Sequence, residues 1–387
     1  MKNFFNINYI TAGFTAVLIG YSSSAVIIIQ AAQNAGASPL EIESWLFSLG
    51  ISLGVISILL SWRYKMPILM AWSTPGAVML VNSVSGYSLS IIIGAFIVSG
   101  ILTLITAFIT PLNKALTRIP PQIGTAMLAG ILVPYTVKGF ETITSSPILF
   151  IVMFITLLIM RKTKPNFTML ILIMISIVFC WVQGTISDFH IGNLMSKPIF
   201  ISPKFSYSSI FNLAIPLFII TMLSQNIPGI TILNTYGFTP PIKQILLTSS
   251  ISNIFLAPFG VFSSNLAAIS ATICMNKDVD IDERKRYLSV LWAGCFYIIA
   301  GLFSGFVVKI FLSLPTDLIR ILVSFSLLNT VVLCLHTAFN KTEHHYSAML
   351  TFLITLSNIS FFGINSILLG LFIGITHYKF LDKKIKL

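Results

Sequence analysis

The sequence predicts an all-α membrane protein of fourteen spans, arranged as two halves of seven with opposite orientation. Three observations carry this: the apolar composition, the bias of basic residues to one side, and two interrupted apolar segments at matching places in the halves. Of the 387 residues, 56% are hydrophobic and 9% charged, and the mean hydropathy is +0.94. A soluble domain carries roughly 25% charged residues, so this chain has too little polar material to cover a water-facing surface. Each crossing takes about 20 apolar residues, which leaves no room for a separate soluble domain. The net charge of +12 reads as cationic loops on one side of a membrane, and not as a nucleic-acid surface.

Apolar stretches fall at roughly 8–32, 43–62, 67–83, 88–110, 120–137, 147–160, 166–184, 207–229, 242–256, 257–275, 287–308, 315–337, 346–361 and 364–379. The first is far longer than the roughly 7–15-residue core of a secretory signal, so Ala35-Gly36-Ala37 is not expected to be a cleavage site. With the N-terminus placed inside, Lys2, Arg63, Lys65, Lys114, Arg118, Arg161, Lys162, Lys164, Lys243, Lys277, Arg284, Lys285, Arg286, Lys341, Lys379, Lys383, Lys384 and Lys386 all fall inside. Only Lys138, Lys197, Lys204, Lys309 and Arg320 fall outside. Adding or removing one middle span would destroy this bias. Both termini are therefore expected to be cytoplasmic. The outer loop at about 185–206 divides the chain into seven and seven, and an odd number per half gives an inverted repeat.

The third span of each half is interrupted. Pro67-Ile-Leu-Met-Ala-Trp72 leads into Ser73-Thr74-Pro75-Gly76, and Ala257-Pro258-Phe259-Gly260-Val261-Phe262 leads into Ser263-Ser264-Asn265. Each reads as a short extended piece followed by a helix start, with Ser, Thr or Asn as N-cap and Pro75 in the first turn. Unpaired backbone at membrane depth is tolerated beside a cavity or inside protein, and paired interruptions point to a substrate site. Two half-helix N-termini facing each other would suit an anion. The bland alternative is that Pro and Gly merely kink two ordinary helices; symmetric placement favours the site.

The first spans of the halves add Tyr21 with Ser22, Ser23 and Ser24, and Ser224, Gln225 and Asn226 before Pro228-Gly229. The three serines serve packing or substrate equally well, since a hydroxyl can bond its own helix. The two amides want partners, such as a substrate carboxylate or water. Cys180, Cys274, Cys295 and Cys334 lack metal-ligand spacing and read as small packing residues. No cofactor is implied, and no constellation of nucleophile or ligand spacing suggests an enzyme. The run Asp278–Arg286 reads as a solvated inner loop. All eleven acidic residues fall in loops or at span ends, so no carboxylate relay is expected within a span. His336 and His377 read as interfacial.

Ala12-Gly-Phe-Thr-Ala-Val-Leu-Ile-Gly-Tyr-Ser-Ser-Ser-Ala25, Ala71-Trp-Ser-Thr-Pro-Gly-Ala77, Ala129-Gly-Ile-Leu132, Ser224-Gln-Asn-Ile-Pro-Gly-Ile230 and Ala257-Pro-Phe-Gly-Val261 resemble the BenE family of benzoate transporters, in order and over essentially the whole chain. The resemblance implies the architecture of nucleobase permeases and sulfate-type transporters. A core (1–110, spans 1–4, and 207–308, spans 8–11) would move against a gate (111–184, spans 5–7, and 309–387, spans 12–14). It implies a homodimer in the bacterial inner membrane and proton-coupled uptake of an aromatic carboxylate. The implied site is Tyr21, Ser22, Ser23, Ser24, Ser73, Thr74, Pro75, Gly76, Ser224, Gln225, Asn226, Phe259, Ser263, Ser264 and Asn265. Tyr21, Phe259 and Phe262 would face the ring. A sulfate-type anion transporter and a nucleobase permease are the alternatives.

Overall fold

Two antiparallel residue pairs, Met70 with Leu266 and Ala71 with Asn265, join the halves of the chain at their interrupted segments. In this computed structural model, residues 4–109, 119–184, 195–268 and 270–382 are described. Lys2, Lys114, Arg118, Asp188, Lys383, Lys384 and Lys386, used above for the charge bias and the acidic inventory, lie outside the described residues, as does 185–194 of the outer loop.

The first half runs α1 (Ile7–Asn34), α2 (Pro39–Tyr64), β1 (Met70–Ala71), α3 (Thr74–Ser83), α4 (Leu89–Phe108), α5 (Pro121–Ser145), α6 (Pro147–Thr163) and α7 (Thr168–Val182). The second runs α8 (Tyr207–Thr235), α9 (Ile242–Leu256), β2 (Asn265–Leu266), α10 (Ala271–Met275), α11 (Tyr287–Leu302), α12 (Ser304–Ser313), α13 (Thr316–Ala338), α14 (His345–Leu356) and α15 (Ser366–His377).

Local signals in the sequence set these limits. Ser38 accepts from the Glu41 N–H while the Glu41 carboxylate returns to the Ser38 N–H, a reciprocal cap that starts α2. Asn6 and Asn365 cap α1 and α15 with their side chains. Pro228 lacks the N–H an α-helix would use there, and α8 absorbs the fault. It widens to a π turn over Met222–Asn226, where the Ile227 N–H reaches back to the Met222 carbonyl. The Pro-Gly pair therefore does not break this helix.

Seven helices among the described residues are long and apolar enough to cross a membrane. An eighth results if Glu283–Leu302 and Ser304–Ser313, bent by 60°, count as one. The remaining predicted spans are occupied by shorter helices. A helix of twelve residues, as α14 is, reaches only about 18 Å against a hydrocarbon core of about 30 Å.

α11 packs on α1 and α2, α4 on α9, and α1 on α3; separately, α13 and α14 pack on α5, and α14 on α15. The α2–α11 crossing is close because glycines face each other. A methyl group on Gly54 would stand 2.6 Å from the Gly294 carbonyl oxygen, and one on Gly50 2.6 Å from Gly301 Cα. Small residues let helices approach where there is no water to expel. Cys180, Cys274 and Cys334 are buried, as small packing residues would be.

Candidate polar hub at the paired strands

The antiparallel register runs beyond the two paired residues. The Ala267 N–H donates to the Leu69 carbonyl at 2.9 Å, and the Ser73 N–H to Ser263 Oγ at 3.3 Å. Residues 69–73 thus lie along 263–267, and neighbouring helices satisfy what the short ladder leaves over. From α2, Ser57 Oγ accepts the Met70 N–H at 2.9 Å, and Ser61 Oγ the Ile68 N–H at 3.1 Å. Ser52 Oγ lies 2.7 Å from Ser264 Oγ, and Asn253 of α9 accepts the Ser264 N–H at 2.8 Å. From α8, Asn226 Oδ1 accepts the Leu266 N–H at 3.2 Å while its Nδ2 donates to Asn265 Oδ1 at 3.4 Å. Asn265 Nδ2 in turn donates to Ser263 Oγ. Asn226, Ser73 and Ser264 have no solvent exposure at all, so each lost partner would leave a buried group unsatisfied.

Asn226 thus finds partners in β2, and its Nδ2 also lies 3.3 Å from Met222 Sδ one turn back. Its π turn sits directly against that strand, and a methyl group on Gly229 would come 2.6 Å from Leu266 Cβ. Gln225 is half-buried beside it. Ser224 Oγ is buried with no hydrogen-bond partner.

Around α1 the serines bond their own helix: Ser22 Oγ to the Ile19 carbonyl at 3.4 Å, Ser23 and Ser24 to that of Gly20 at 3.3 and 2.8 Å. Ser24 Oγ also accepts the Trp72 indole N–H at 2.7 Å, tying α1 to the residue before the α3 cap. Tyr21 stacks edge-on against Trp72 at 4.8 Å and lies 6.0 Å from Tyr297 of α11; Trp72 and Tyr297 are 6.1 Å apart. Within this three-ring cluster the Tyr21 hydroxyl is buried and has no partner.

The first half-helix forms as expected. Ser73 caps α3 by accepting the Gly76 N–H at 3.0 Å, and Pro75 stands in the first turn beside Thr74. With that N–H used and none on Pro75, the helix end offers its positive dipole more than free donors. The second half-helix is not where the sequence put it. Ser263–Asn265 are extended and feed β2, and α10 begins at Ala271 and lasts five residues. Asn265 is spent on strand pairing and does not cap a helix.

Phe259 is not brought to the hub. It lies in a turn of 3-10 helix, Ala257–Phe259, its ring 5.7 Å from Phe200 and its carbonyl accepting from Ser44 Oγ at 3.1 Å. Ser44 is eight residues, or about 12 Å, along α2 from Ser52. Phe262 is buried against Phe96 in the core. Gly260 explains the turn: its φ is +99°, and a methyl group there would overlap the Trp45 ring at 1.9 Å.

Trp72, Tyr297, Ser52, Ser57 and Asn253 were absent from the expected site. A visible signal existed for the serines: Ser44, Ser48 and Ser52 recur every fourth residue along one side of α2, and Ser57 and Ser61 share another. The loop 276–286 is mostly exposed, as expected of the run Asp278–Arg286, but its last residue is buried. Arg286, 2% exposed, donates to the Met275 and Asp280 carbonyls, and Tyr9 donates to the Asp280 carboxylate. That hydrogen bond holds the Asp280 carboxyl below its ordinary range. A cavity of about 460 Å³ lies beside this loop, lined by Tyr236, Lys277 and Arg286 among others, away from the hub.

This arrangement is that of a membrane transporter with the fold of known anion transporters. The transmembrane domain of the cyanobacterial bicarbonate transporter BicA superposes with a TM-score of 0.62 at 12% identity, covering 95% of this chain and 96% of that one. Murine Slc26a9, an anion transporter solved in the inward-facing state, gives 0.65 at 13%, covering 98% and 68%. Residues 3–380 match the family described as BenE, benzoate membrane transport protein, and the chain belongs to that family. It is 35% identical over 363 residues to the inner membrane protein YdcO of Escherichia coli K12, spanning 94% of this chain and 93% of the relative. It is 33% identical over 383 residues to the benzoate membrane transport protein of Acinetobacter baylyi, spanning 99% and 97%.

Proposed function

We propose that this protein takes up benzoate or a similar aromatic carboxylate across the bacterial inner membrane, driven by protons. The observation that carries the reading is the unpartnered Tyr21 hydroxyl among Tyr21, Trp72 and Tyr297, one residue from the capped start of α3. Rings offer a flat aromatic substrate edge and face contacts, and a buried hydroxyl without a partner offers its carboxylate a hydrogen bond. The positive end of α3 adds attraction for the same group. An inorganic anion would have no use for three rings, which favours the aromatic acid over a sulfate-type substrate. Among the described residues no carboxylate lies at the hub to accept from ring N–H groups, which weighs against a nucleobase. The naming of the Acinetobacter relative as a benzoate membrane transport protein supports the same substrate.

The mode of transport belongs to this reading. Fourteen crossings with both termini cytoplasmic account for the basic residues. Spans 1–4 and 8–11 would move as a core against spans 5–7 and 12–14, with a homodimer formed through the latter. The two sets of mutually packed helices support this division. The test is uptake of radiolabelled benzoate into proteoliposomes, with protein-free vesicles subtracted because the neutral acid permeates lipid. Saturable protein-dependent uptake, enhanced by an inward proton gradient, is expected. Transport of sulfate or uracil with none of any aromatic acid would overturn the substrate. Saturable uptake indifferent to the gradient would overturn the coupling alone.

A further inference from the structure

α2 and α9 meet beside the hub, where Ser52 Oγ lies 2.7 Å from Ser252 Oγ. From there α2 runs on to Tyr64 while α9 runs back to Ile242, so these two ends lie on the same side. Between them a cavity of about 280 Å³ opens, lined by Leu59, Trp62, Arg63 and Tyr64 of α2 and by Gln244 and Thr248 of α9. Arg63 is eleven residues from Ser52 and Gln244 eight from Ser252, about 16 and 12 Å along the two axes. The cavity therefore forms where helices joined at the hub part toward the membrane surface.

Exposed side chains grade with depth along both helices. Nearer the hub they are apolar: Val55 and Leu59 on α2, Ile251 and Phe255 on α9. Each pair is four residues apart and shares a side, and Gln244 and Thr248 continue the α9 stripe. At the ends they are Trp62, Arg63 and Gln244. An apolar stretch followed by an aromatic and a cation is the order in which hydrocarbon gives way to headgroups.

The cations here have no acidic counterpart. Lys65 donates to the Tyr287 hydroxyl at 3.3 Å, and Lys243 lies 5.1 Å from the centre of the Phe108 ring. Arg63 rests 5.5 Å from the Tyr64 ring, and among the described residues no ion pair reaches it. α9 carries no acidic residue. Those of α2 are Glu41 and the buried Glu43, the nearer of them twenty residues from Arg63, or about 30 Å along the helix. Thr248 Oγ1 is spent on the Gln244 carbonyl at 2.8 Å. The donors left to the cavity are thus the Arg63 guanidinium and the Gln244 amide, and a guanidinium matches phosphate oxygens with two parallel hydrogen bonds.

We propose that this cavity binds one anionic glycerophospholipid of the leaflet in which α2 ends, the inner one in the topology above. Its phosphate lies against Arg63 and Gln244, its glycerol beside Trp62, and its acyl chains along Leu59, Val55, Ile251 and Phe255. Apolar stripes and a cation at headgroup level call for a ligand with both parts. A free phosphate would use only the second, and a zwitterionic lipid would bring a cation of its own to a site already cationic. The lipid fills the wedge between α2 and α9 and braces, from the membrane side, two helices that hold the strand pair.

The experiment titrates purified full-length protein, delipidated in a non-ionic detergent, with phosphatidylglycerol or with phosphatidylcholine of the same acyl chains. Lipid retained per chain is counted by native mass spectrometry. Wild type is expected to retain one phosphatidylglycerol at roughly tenfold lower concentration than phosphatidylcholine, and an equal concentration of glycerol 3-phosphate should not displace it. Arg63→Gln, at an exposed position, should need about fivefold more phosphatidylglycerol. Lys341→Gln, a basic position assigned to the same side but on no element of this groove, should bind as wild type. Equal retention of the two lipids by wild type would overturn the proposal without recourse to any variant. Displacement by glycerol 3-phosphate would overturn the lipid in favour of a soluble phosphate. Wild-type binding in Arg63→Gln, or an equal loss in both variants, would overturn the site.

Discussion

Asn226→Ala removes the side chain whose hydrogen bonds tie β2 to α8. The Leu266 N–H, on a residue 2% exposed, loses its acceptor at 3.2 Å, and Asn265 Oδ1 loses its donor at 3.4 Å. An unsatisfied buried group costs about 1–3 kcal/mol, and the space left by the amide adds to it, so a destabilisation of roughly 2–4 kcal/mol is expected. Part of this is relieved if β2 shifts, and a strand that spends less time in place lowers the apparent affinity in proportion. Benzoate binding by purified protein should weaken by roughly tenfold to a hundredfold, since each 1.4 kcal/mol is a factor of ten. The measurement is equilibrium binding of radiolabelled benzoate, with thermal unfolding in detergent alongside. Asn226→Asp separates the two halves of the interaction. It keeps an acceptor for the Leu266 N–H but buries a carboxylate against Asn265 Oδ1 with no cation beside it, so it should be at least as destabilised as the alanine variant. Wild-type binding and a wild-type unfolding midpoint in Asn226→Ala would refute the reasoning, because the amide would then be holding nothing.

Gly260→Ala forces a methyl group into the Trp45 ring at a φ of +99°; the variant should fail to accumulate as a monodisperse protein on size-exclusion chromatography. Tyr9→Phe removes the hydrogen bond that depresses the Asp280 carboxyl. A depressed carboxyl stabilises above its unfolded value and loses that contribution as pH falls through the folded one. Proteolysis within 276–286 of wild type should therefore accelerate at acid pH, while Tyr9→Phe is cut faster at neutral pH and responds less to acid. Single cysteines at Lys197 and Lys341 in a cysteine-free background should react with an impermeant maleimide from outside and inside respectively; the reverse pattern would refute the topology.

Much of the fold could be read from pattern because lipid forces simple solutions. Apolar length marked the helices, and Pro67 to Gly76 and Ala257 to Asn265 marked the extended segments. The cap at Ser73 was legible because N-capping is local, settled by the side chain and the N–H three residues on. Ser263–Asn265 look equally fit to cap a helix. They form strand because Leu69–Ser73 lie alongside, a contact nearly two hundred residues distant that no local preference encodes. Phe259 misled for a related reason: Gly260 turns the chain before the strand, and the ring leaves with the turn. Tyr297 could not be picked out, since only packing of α11 on α1 distinguishes it from the other tyrosines. Glu43 stands at a span end, as the sequence says. Its burial comes from Ser196 and Ser304, both distant in the chain.

The strand pair also sets a timetable for synthesis. Ala71 leaves the ribosome about 190 residues before its partner Asn265. At about 5–20 residues per second, that is roughly ten to forty seconds. During that wait Ser57 and Ser61 on α2 can already hold the Met70 and Ile68 N–H groups, since those bonds need only residues made earlier. The Leu69 carbonyl and the Ser73 N–H have no such stand-in, for their partners are Ala267 and Ser263. The nascent first half must therefore remain unfinished at its centre, and a chain truncated before residue 263 would be a substrate for quality control, not half of a working protein.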